Sequence, residues 1–186
     1  MKTGLILVDI QNDYFAGGRM ELVGMEAAGK SAGQLLSFFR KSRWPAFHIQ
    51  HISEREGATF FLPGTKGIEI HVFVKPRSDE PVIKKHFPNS FRETPLLDRL
   101  KNAGVENVVI CGAMSHMCID ATTRAAADFG FACTVVHDAC ATRNLDFGGK
   151  KILAQDVHAS FMAALGSAYA HVTSCGEFVS KAKAHG

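Results

Sequence analysis

A carboxylic acid, a lysine and a cysteine together make an activated nucleophile, and this sequence sets one of each where an apolar run stops. Asp9 closes Leu5-Ile6-Leu7-Val8. A carboxylate there is half buried, which pushes its pKa toward general-base duty; a turn or helix-cap acid is the other reading of the position. Lys84-Lys85-His86 closes a second run. Neighbouring strand residues point to opposite faces, so one lysine at most faces a given site, and a solvated edge is the alternative. The third run, Val108-Val109-Ile110-Cys111-Gly112, leads through Ala113 to Met117 into Cys118. A strand, a glycine turn and a helix N-terminus would lower the thiol's pKa and offer N–H groups to an oxyanion. Free cysteines are also among the most buried residues, so a structural Cys118 stays open beside a nucleophilic one. Cys111 is expected in the core, and Cys133, Cys140 and Cys175 have no comparable setting. An odd set of five without C-x-x-C fits neither a disulfide framework nor a structural zinc site.

The elements that must position these groups alternate along the chain, as in an α/β fold with a mainly parallel sheet. Strands are predicted at Thr3 to Ile10, Ala46 to His51, Val82 to Lys85, Asn107 to Gly112, Ala132 to His137 and Ala170 to Thr173. Helices are predicted at Met25 to Ser42, Pro95 to Ala103, Cys118 to Phe129, Lys150 to Ala168 and Gly176 to Lys183. Leu35, Leu36 and Phe39, and again Val157, Phe161 and Leu165, recur near a 3.6-residue period and give each helix one buried stripe. Ile52 to Pro81 is rich in glycine and proline, and a loop that long in a compact domain is usually functional. In such sheets ligands bind beyond the carboxyl ends of the strands, where Asp9, Lys85 and Cys118 fall.

Composition removes other classes. The 186 residues carry 21 Lys+Arg against 18 Asp+Glu, a formal charge of +3, with no like-charged run that would mark a nucleic-acid or polybasic membrane footprint. The apolar Leu5 to Val8 is too short for a signal peptide, and no window approaches the roughly 18 apolar residues of a membrane span. One domain over 1–186 in the cytoplasm is expected. No G-x-G-x-x-G or Walker motif follows any strand, so a nucleotide-binding reading fails.

Together these blocks resemble the isochorismatase-like cysteine hydrolases, the superfamily of nicotinamidases, carbamoylsarcosine amidases and related amide hydrolases. The likeness runs from Asp9-x-Gln11-x-Asp13-Tyr14 through Lys85 and Ser90-Phe91-x-x-Thr94-x-Leu96 to Gly112-Ala113-Met114-Ser115-His116-Met117-Cys118-Ile119. It continues in Thr122-Thr123-Arg124-Ala125-Ala126 and Asp138-Ala139-Cys140-Ala141. The resemblance implies a doubly wound three-layer α/β sandwich with a six-stranded, mostly parallel sheet in the order 3-2-1-4-5-6. It implies a catalytic triad of Asp9, Lys85 and Cys118, and a cis peptide between Ala113 and Met114 that aims the Met114 and Cys118 N–H groups at one oxyanion. Tyr14 and Phe91 match aromatic positions near the family's substrate cleft, and Cys118 sets the chain apart from vinyl-ether-hydrolysing members, which lack it.

The implied function is cleavage of a small-molecule C–N amide bond through a thioester, in a homo-oligomer, dimer or tetramer, without organic cofactor. Nicotinamidases carry Asp-x-His after the second strand, where this chain has Gln50-His51-Ile52-Ser53, so no metal is expected; His51 and His71 would be the first ligands of an altered site. Two other classes stay open: a redox protein using Cys118, and a non-catalytic binding protein of the same fold.

Overall fold

Strand β1 (Lys2–Val8) lies inside the sheet because nothing in Leu5 to Val8 seeks water; these four side chains are 0 to 2% exposed. In the computed structural model, which describes residues 2–184, β1 pairs with β2 (Ala46–His51) on one side and β4 (Val105–Ala113) on the other. Beyond them lie β3 (Val82–Lys85) and β5 (Ala132–Ala141), with a short last strand, β8 (His171–Thr173), at the far edge. All six are parallel in the order β3-β2-β1-β4-β5-β8, which is the expected 3-2-1-4-5-6 with the last strand renumbered.

Helices α1 (Met25–Lys41) and α5 (Cys175–Ala184) pack on each other and on β5. Right-handed crossovers put α2 (Leu96–Asn102), α3 (Asp120–Asp128) and α4 (Ala154–Ala168) on the opposite face. Leu35, Leu36 and Phe39 of α1 are fully buried, each worth about 2 kcal/mol of apolar transfer. On α4 the stripe is Val157, Met162 and Leu165; Phe161 stays half-buried with its ring 6.1 Å from that of His116.

Strands β4 and β5 run past their expected ends, to Ala113 and Ala141, and two helix starts are displaced. The helix placed at Lys150 begins at Ala154, because Gly148 (φ 57°) and Gly149 (φ 76°) turn the chain into an antiparallel hairpin, β6 (Leu145–Phe147) with β7 (Lys150–Ile152). Both glycines take the left-handed conformation that a two-residue hairpin turn demands. Asn144 Oδ1 then caps α4 by accepting from Ala154 N, 2.8 Å. The helix placed at Cys118 begins at Asp120; Ser115–Ile119 form a wider, π-type turn, a feature found disproportionately at functional sites.

Register brings the loaded strand ends together. Val8 pairs with Ile49 and with Gly112, and His51 pairs with Lys85, so the residues after β1, β2, β3 and β4 share one rim. Gly112 (φ 128°) is required there, since a side chain would run into the Val8 backbone.

Candidate active site

Asp9 leaves β1 in the left-handed conformation (φ 54°), its N–H donating to Ile49 O at 3.1 Å and its carbonyl accepting from Gln11 N at 2.9 Å. A non-glycine residue held this way costs of order 1 kcal/mol or more, and it turns the chain sharply at the end of the strand. Gln11 braces the next rim: its Nε2 donates to His51 O (2.9 Å) and Ile68 O (2.8 Å), while its Oε1 accepts from His51 N (2.8 Å). Along β3 exposure alternates, so Lys84 faces solvent and Lys85 is fully buried.

Lys85 Nζ is the hub. It lies 2.7 Å from Asp9 Oδ2, 3.2 Å from Cys118 Sγ, 3.1 Å from His51 Nδ1 and 3.1 Å from Phe87 O. An ammonium has three protons. The 2.7 Å contact to the oppositely charged Asp9 is the shortest, and Cys118, His51 and Phe87 share the ammonium at longer distances. A buried charge of this kind needs its partners, and Asp9 supplies the counter-charge. Burial pulls the Lys85 pKa down, but the Asp9 charge and the contacts to Asp9 and Cys118 outweigh it and the net direction is up. Asp9 and Cys118 thus meet at one ammonium, the arrangement a proton transfer between them needs.

Cys118 corrects one expectation. Its turn does not give a low-pKa thiol; burial, then the Asp9 charge, push it up to about 12 against the pull of Lys85. The thiol therefore keeps its proton, next to Asp9 and Lys85. The Ala113–Met114 peptide immediately before this turn is cis. All five cysteines are unpaired and buried; Cys133, Cys140 and Cys175 each direct their sulfur at a backbone carbonyl, and Cys111 is fully enclosed in β4.

Cys118 lies on the wall of a cavity of about 350 Å³ with Tyr14, His51, Phe60, Phe87 and Met114 among its lining. Tyr14, expected as a substrate contact, lines this cavity with its ring tilted against Phe61 (4.6 Å) and Phe60 (5.9 Å) of the long loop. Its phenol pKa is well raised by burial and the nearby Cys118 and Asp9 charges, so it stays a proton donor. Phe91 is not in this lining: its ring packs 5.2 Å from Phe129 and 6.4 Å from Phe131, a core position behind the site. The Asn89 turn, with Phe91 N donating to Asn89 Oδ1 at 2.9 Å, carries it inward, and Phe87 takes the cavity side instead. Beside it, Ser90 Oγ meets Thr122 Oγ1 at 2.8 Å and Thr94 Oγ1 donates to Ser90 O at 2.6 Å, tying the β3 exit to α3.

Phe60 and Phe87 were not anticipated as site residues, and His51 was named only as a ligand of an altered metal site. The one available signal for His51 was its place at the end of β2, in line with Asp9 and Lys85. His51 and His71 do not converge: His71 stacks on Phe15 at 3.5 Å and accepts from Phe73 N. Among the described residues, Asp9, His51 and Cys118 offer donor atoms within 4.8 Å of one another, a spacing suited to a metal. Lys85 Nζ, however, contacts all three and fills their centre with positive charge, so the residues do not fit a resident cation.

Residues 3–175 match the family model described as Isochorismatase domain. The chain is 50% identical over 179 residues to the isochorismatase family protein YddQ of Bacillus subtilis strain 168, covering 96% of this chain and 99% of that one. It is 33% identical over 141 residues to a streptothricin hydrolase of Streptomyces noursei, covering 76% of this chain and 55% of that protein. A crystal structure of an isochorismatase-type hydrolase from Oleispira antarctica superposes with a TM-score of 0.93 at 48% identity, covering 96% of both chains.

Proposed function

The chain belongs to the isochorismatase family of hydrolases, and from that premise we propose that it cleaves the C–N amide bond of a small molecule through a thioester on Cys118. The observation that carries this reading is the buried Lys85 ammonium, which lies 2.7 Å from Asp9 Oδ2 and 3.2 Å from Cys118 Sγ and so holds acid and thiol against one cation. Family members named for amide cleavage, a nicotinamidase and a ureidoacrylate amidohydrolase, support the class of reaction.

Asp9 takes the thiol proton as Sγ attacks the amide carbonyl, and Lys85 offsets the negative charge that moves between them. The Met114 and Cys118 backbone N–H groups receive the oxyanion. Collapse of the tetrahedral intermediate breaks the C–N bond, and Asp9 returns its proton to the departing amine. Water then attacks the thioester, with Asp9 taking its proton and passing it back to sulfur as the carboxylic acid leaves. Every proton is accounted for by Asp9 and Cys118, so no Lewis acid has a step to perform. A thiol raised in pKa and almost enclosed fits this assisted attack better than a peroxide-sensing role, which favours exposed thiolates.

The test is a screen of small primary amides for ammonia release with Cys118→Ala as control, followed by mass spectrometry of trapped acyl-enzyme. The acyl mass belongs on the peptide containing Cys118; an adduct on the Cys111 peptide, or equal turnover by the alanine variant, would remove the mechanism. We also propose a cytoplasmic homo-oligomer, in which the outward-facing Phe147, 81% exposed, would be covered by a second copy.

A further inference from the structure

His51 joins the Lys85 hub from the cavity side. Its Nδ1 lies 3.1 Å from Lys85 Nζ. An ammonium can only donate, so Nδ1 must present its lone pair, and the ring proton of a neutral imidazole is then on Nε2. Among the described residues Nε2 has no hydrogen-bond partner, while the ring lines the cavity that reaches Cys118. The backbone cannot swing away, because Gln11 clamps both the N–H and the carbonyl of His51, at 2.8 and 2.9 Å.

From this geometry we infer that His51 is a specificity-determining donor: its Nε2–H, fixed in that tautomer by Lys85, binds a second acceptor atom of the substrate close to the scissile carbonyl. The inference rests on the amide-hydrolase reading and narrows it to a substrate class. The preferred substrates are small amides with a carbonyl oxygen or ring nitrogen next to the amide. Tyr14, Phe60, Phe87 and Met114 form apolar walls around such a molecule, and Glu54 and Arg55 line the same cavity. The charged groups that bear on the ring are Asp9, Lys85, His86 and Arg55; burial, with Lys85 beside it and against the pull of Asp9, takes the imidazole down to about 4, so it stays neutral near pH 7.

Two measurements test this. The first needs no substrate: imidazole 15N spectra of the full chain at pH 7, with the His51 signals identified by their loss in His51→Gln. Expected is a neutral ring protonated on Nε2; an Nδ1–H tautomer or an imidazolium at that pH overturns the inference even if the protein proves to be an amidase. The second compares, on an amide found in the ammonia screen, the wild type with His51→Gln and His51→Leu. Glutamine can accept from Lys85 through Oε1 and donate through Nε2, so it keeps most of the activity. Leucine loses about ten- to a hundredfold in kcat/KM, mainly through KM. Wild type should prefer the acceptor-bearing amide over its C–H isostere by at least about tenfold, and leucine should erase the preference. Equal losses in both variants, or a preference that survives leucine, would also overturn it. A screen that yields no amide substrate would count against the function while the 15N result still judges His51.

Discussion

At the scale of single residues, Cys118→Ala should lower kcat by more than about a thousandfold and Asp9→Asn by a hundredfold or more, with thermal unfolding showing that both variants fold. Lys85→Ala should be comparably damaged and Lys84→Ala close to wild type, since only Lys85 turns inward. A dead Lys84 variant beside an active Lys85 variant would reverse the assignment. Because the Cys118 thiol is raised toward 12, it carries its proton throughout pH 6 to 9, and alkylation of Cys118 by iodoacetamide should climb across that range without a plateau. A plateau near pH 7 would show a preformed thiolate. Asp9, Lys85 and Cys118 were legible in the sequence because each ends an apolar run, and parallel strands deliver their ends to one rim. Phe60 and Phe87 were not, since their approach depends on the path of an irregular loop and on ring orientations that spacing does not encode; His51 was legible as a strand end but not as a partner of Lys85. Phe91 was misplaced for the same reason: one turn at Asn89 decides which of two nearby aromatics sees the cavity.

At the scale of elements, the β1–β4 contact leaves no room for a side chain at Gly112, so Gly112→Ala should cost more than about 3 kcal/mol in chemical denaturation, well beyond an ordinary surface glycine such as Gly176. A second clip joins α1 to the β2 and β3 ends away from the site. Arg40 donates twice to Glu80, at 2.7 Å each, and buried His48 meets the same carboxylate at 3.0 Å. Burial pushes the Glu80 carboxyl up, yet Arg40, the Arg77 N–H and His48 together hold it down to about 2. The folded pKa is thus below the unfolded 4.5, so the clip contributes fully above 4.5 and is lost as pH falls toward 2. Glu80→Gln should cost about 2 kcal/mol at pH 7 and flatten the acid limb of a stability-against-pH curve; an unchanged limb would leave the clip without weight. Strands and helices were legible wherever apolar period decided them. The hairpin was not, because Gly148-Gly149 reads as a loop until two short polar strands are seen to pair across it.

At the scale of the whole molecule, chelator dialysis with elemental analysis should leave turnover unchanged, since an ammonium already fills the only metal-like cluster found among the described residues. Loss of activity with the metal and recovery on its return would contradict that. Light scattering across a dilution series should report a dimer or tetramer; a monomer at micromolar concentration would leave Phe147 and its neighbours unexplained by assembly. The strand order also sets a timetable for synthesis. The chain leaves the ribosome with Asp9 first and Lys85 later, but one edge of β1 has no neighbour until Val105–Ala113 has emerged, and Cys118 follows only after that. Until then β1 has an unpaired backbone edge between the apolar side chains of Leu5 to Val8, open to pairing with another strand. A chain cut short before Val105 therefore lacks both the strand that covers this edge and the Cys118 thiol.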